Sequence, residues 1–150
     1  MKNILPRRQT LLAFIVGWVM LVFLFIFTAT QFNLAELTAL GLNVPFADRL
    51  ATTVQDMVGG LSLVAAIFGF GFLIAMPITD VIARWVKILP HVAHALGGFT
   101  GVGVTLFALK ALFEITPIGA ARDMDGFIAL CLSGAIAGYV YSALKARGQN

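Results

Sequence analysis

Apolar residues in this chain gather into four runs, at about 11–28, 60–79, 90–113 and 127–144, parted by short polar or glycine- and proline-bearing stretches. A hydrocarbon layer of roughly 30 Å is crossed by about 17–25 helical residues, and each run is of that length. The pattern predicts an all-α integral membrane protein: one domain of four transmembrane helices. A short amphipathic helical segment is expected between the first and second.

That segment, about 33–57, carries its own helix punctuation. Asn33 is placed to cap a helix with Glu36 three residues on, Gly41 to end it, and Pro45 to open the next. From there Phe46, Leu50, Val54 and Met57 recur at helical spacing opposite Asp48, Arg49, Thr52, Gln55 and Asp56. The expectation is an amphipathic helix that lies flat in the outer interface or lids the bundle, with partner docking as the other use of such a face.

Small residues divide the spans. The second contains Ser62-x-x-x-Ala66 and Ala65-x-x-x-Gly69, the third the pair Gly97 and Gly101, and the fourth the pair Gly134 and Gly138. Such spacings let two backbones approach closely, which is how helices associate in lipid. These three spans are therefore expected to form the inner cluster. The first span is bulky on all sides, with Gly17 its only glycine, so it is expected at the periphery. Pro77 should bend the second span near its end, the helix then continuing towards Trp85.

Charge adds an orientation. Lys2, Arg7, Arg8, Arg84, Lys87, Lys145 and Arg147 fall on one side with Asp80 as the only acid. The opposite side holds Arg49, Lys110 and Arg122 against Glu36, Asp48, Asp56, Glu114, Asp123 and Asp125. Basic residues in short loops remain cytoplasmic, so both termini are expected inside a bacterial-type inner membrane. The basic start before an apolar run resembles a signal peptide, but Thr28-Ala29-Thr30 is a poor cleavage site, and an uncleaved first span is the reading adopted. The formal charge of +3 is scattered over membrane boundaries rather than interleaved with aromatics, so lipid headgroups are the expected contact and nucleic acid is not.

Candidate chemistry concentrates where the second and third spans meet: Asp80, Arg84, Lys87, His91 and His94. Asp80 and Arg84 are four apart with the acid first, the favourable order for a pair on one helix face. The two histidines also share a face. Such a rim is read as a proton, lipid or anion site, or as a plain interfacial ion pair with two headgroup-level histidines. Lys110 and Glu114 are a weaker candidate for an outer vestibule, the lysine otherwise snorkelling to the interface.

No metal site or cofactor is expected. Two histidines and one aspartate fall short of a closed zinc shell, and two histidines in one turn cannot clasp a haem between helices. Cys131, the single cysteine, is read as a packed thiol. Hydrolase, metalloprotease, nucleotide-loop and CxxC signatures are lacking in the sequence, so catalysis is not expected. What remains is a small accessory or assembly subunit, packing as a homo-oligomer or in a larger membrane complex. The alternative is a homo-oligomeric channel or transporter whose pathway runs between protomers.

Overall fold

The computed structural model describes residues 8–86 and 89–147, so Lys2, Arg7 and Lys87 lie outside the described residues. Four helices, α1 Arg8–Ala39, α2 Phe46–Val86, α3 Pro90–Phe113 and α4 Met124–Arg147, account for nearly all of it, with a 3-10 turn at Gly119–Ala121 before α4. All four are long and apolar enough to span a membrane, and the chain is a multi-pass membrane protein. They form a ring in which α1 and α3 stand opposite one another, each packed against α2 and α4.

The segment between the first two spans differs from its expected form. Residues 28–39 continue α1 and residues 46–59 begin α2, so the amphipathic stretch stands upright as part of a helical hairpin rather than lying flat. Its polar residues find partners on α1. The Thr30 hydroxyl lies 2.7 Å from Asp56 Oδ2, Gln31 Nε2 donates to Thr53 Oγ1 at 3.1 Å, and Arg49 Nη2 donates to Thr38 Oγ1 at 3.0 Å. These contacts leave Phe46, Leu50, Val54 and Val58 facing outwards. Asn33 caps nothing, because the helix passes through it; its side chain abuts Gly119 instead. Gly41 does end α1, at φ 86°, with Leu42 N bonded to the Leu37 carbonyl and Gly41 N to that of Thr38, a Schellman motif.

The helix expected at the periphery is a full member of the ring, as buried as α3. Ala13, Leu21 and Phe25 of α1 are essentially inaccessible, and Gly17 lets the helix close on the Ala137 carbonyl and the Phe72 ring. Trp18 lies over Gly69 and donates from Nε1 to the Ala65 carbonyl at 3.0 Å, so Gly69 serves the contact with α1. The least buried span is α2. One bulky helix with a single well-placed glycine thus joins the ring through aromatic contacts, Phe25 meeting Phe68 at 4.1 Å between ring centroids and Phe14 meeting Phe72 at 5.5 Å.

The remaining glycines work in pairs, with α3 presenting two small faces. Gly97 receives Thr79 and Gly101 receives Ala75, both from α2. On its other side Gly98 meets the backbone of Gly134, and Gly138 meets the carbonyl of His94. Between the helices the centre, walled by Leu21, Phe68, Phe72 and Val102, has no room for a water molecule. On the outer side of their contact, α2 and α3 leave an apolar groove of about 830 Å³.

Candidate functional site

At the rim where α2 ends and α3 begins, three helices each deliver one polar side chain. Lys145 of α4 donates from Nζ to both carboxylate oxygens of Asp80, at 2.7 and 2.5 Å. His94 of α3 places Nε2 3.1 Å from Asp80 Oδ1 and Nδ1 2.6 Å from the Pro90 carbonyl oxygen. The imidazole is buried, at 2% exposure. Tyr141 lies against both basic side chains, its ring centroid 5.3 Å from that of His94 and 5.3 Å from Lys145 Nζ. An aromatic face so placed attracts positive charge.

Glycine contacts bring these side chains together. Thr79 settles where Gly97 lacks a side chain, and that approach sets the adjacent Asp80 beside His94. Gly138 closes on the carbonyl of His94 itself, and two turns further along α4 Lys145 comes within reach of Asp80. Charged groups removed from water are stable only when paired and hydrogen-bonded. Here one carboxylate answers two basic groups from two helices.

Of the five rim residues named from sequence, Asp80 and His94 are joined. Arg84 is exposed, and Asp80 turns from it towards α4. His91 faces Tyr139, ring centroids 5.6 Å apart, with its buried Nδ1 lacking a hydrogen-bond partner. Lys87 lies outside the described residues. Lys145 and Tyr141 are additions that spacing could not supply, since they lie more than 60 residues from Asp80; the only available signal was that Lys145 shares its side of the membrane. The vestibule pair does not assemble: Lys110 and Glu114 are both exposed and form no ion pair among the described residues.

Chemically the rim can hold charge and exchange a proton. Its third member is an ammonium, which competes for the carboxylate and offers no electron pair to a metal. Cys131 is fully buried, with its sulfur near Gly103 in the contact between α3 and α4. Comparison with protein-family models, curated proteins and solved structures finds no match for this chain.

Proposed function

We propose that this protein is a non-catalytic packing subunit of a bacterial-type inner membrane. It acts as an accessory or assembly component within a homo-oligomer or a larger membrane complex, with both termini cytoplasmic. The observation that carries this reading is the contrast between a closed interior and an open flank. The core excludes water, whereas α2 is the least buried span and borders an apolar groove of about 830 Å³ along α3. A surface of bulky rims over small residues suits a neighbouring helix as well as lipid. Purification in mild detergent followed by native mass spectrometry tests it. A stable partner or a defined homo-oligomer is expected; a monomer carrying only lipid overturns it.

The second reading is a homo-oligomeric channel or small-solute transporter with a pathway between protomers. It is favoured by the Asp80, His94 and Lys145 cluster, because ionisable groups that several spans turn towards one another commonly mark ion or proton routes. On that reading Asp80→Asn and His94→Ala abolish flux in reconstituted liposomes while the fold survives. On the leading reading the parent protein carries no flux.

A further inference from the structure

Both ring nitrogens of His94 face groups that only accept hydrogen bonds: the Pro90 carbonyl oxygen at 2.6 Å from Nδ1, and Asp80 Oδ1 at 3.1 Å from Nε2. A neutral imidazole carries one N–H, so it satisfies one acceptor and turns a lone pair towards the other; an imidazolium satisfies both. Asp80 has no proton to lend, since both its oxygens accept from Lys145. Water has little access to mend the mismatch at a ring so deeply buried.

We propose that His94 is a proton-operated latch. When charged it ties the end of α2 to the start of α3 through Asp80 and the Pro90 carbonyl, and when neutral it releases one of the two ties. The charged groups around it set the balance. From α2 come Asp80 and, exposed one turn further, Arg84; from α4 come Lys145 and the Tyr141 ring; on α3 itself His91 is turned away towards Tyr139. Helix α1 stands across the bundle from α3. Repulsion from Lys145 opposes the second positive charge, and the shared carboxylate and the tyrosine face favour it.

The proton enters and leaves by the same door. The side chains of Asp80 and Lys145 are 27% and 19% exposed, which opens the cluster to the rim. Inwards along the bundle Phe72, Met76 and Val102 are buried and apolar, and the hydroxyls of Thr79 and Thr105 donate to carbonyls of their own helices. A site with one entrance holds a proton without conducting it through the chain.

The full chain in lipid nanodiscs tests this. In the variant His91→Gln, His94 is the only histidine, and ¹⁵N imidazole spectra are recorded across about pH 5–8. Two protonated, hydrogen-bonded ring nitrogens are expected at the acidic end and one at the alkaline end. A charged form that holds the fold together predicts stability lost as pH rises, so Tm should fall by about 2–4 °C over the same midpoint. His94→Gln should flatten that dependence; if this variant does not fold, the spectra and Tm of His91→Gln decide alone. A single protonated nitrogen at every pH, or a titrating ring with an unchanged Tm, overturns the latch.

Discussion

Glycines of this bundle fall into two kinds with opposite consequences for substitution. At Gly134 an added methyl group would meet the Gly98 carbonyl and a methyl of Val102, and a backbone carbonyl inside a packed pair of helices cannot step aside. At Gly59 the same methyl group meets nothing within 4 Å. Gly134→Ala is therefore expected to destabilise by about 1–3 kcal/mol through overpacking. Gly59→Ala should stabilise by about 0.5–1 kcal/mol, because a mid-helix glycine loses more conformational freedom on folding than alanine. Unfolding of both variants in one detergent provides the comparison. The pairs Gly97 with Gly101 and Gly134 with Gly138 were legible as spacing. That Gly98 rather than Gly97 meets α4 was not, because a run glycine-rich on two faces does not tell which neighbour takes which face.

Among the helices, the α1–α2 hairpin separates what the sequence could reveal from what it could not. The end of α1 was readable from Gly41, because only a left-handed residue closes a helix that way. The unbroken run through Asn33 was not. Capping residues offer a helix an end, and they are overridden when Thr30, Gln31 and Thr38 find side chains on α2 to bond. Gly59 and Gly60 likewise lie inside α2 rather than at the start of a span. At about 1.5 Å per residue the 41 residues of α2 reach about 60 Å, twice a hydrocarbon layer. In a Cys131→Ala background, cysteines at Leu42 and Asp48 should react fully with a membrane-impermeant maleimide added on the side away from the Asp80 rim. A cysteine at Ile74 should stay unlabelled. Protection of Asp48 would mean that the upper hairpin is covered.

For the bundle as a unit, the fold class followed from four apolar runs, while the ring order did not. Hydropathy counts spans, but it is blind to which helices are neighbours. The place of α1 in the ring depends on Gly17, Trp18 and Phe25 meeting particular partners. The same limit hid Lys145, since a contact between the second and last helices exists only once the ring closes. Orientation rests on charge and is testable without a partner: a fluorescent protein fused after Asn150 should glow and alkaline phosphatase fused there should be inactive. The reverse result would invert the molecule in the membrane.

The two hairpins also differ in height. Asn33 meets the turn at Gly119, so the pairing of Thr38 with Arg49 stands beyond the loop that joins α3 to α4. The molecule is a step, tall along one flank and short along the other. The taller hairpin rises out of the hydrocarbon on the side away from the Asp80 rim, and the shorter one does not follow it. Above the α3–α4 loop, α1 and α2 have only each other for support, and Phe46, Leu50, Val54 and Val58 face outwards there. Whatever approaches the molecule from that side meets one helical pair before it meets four.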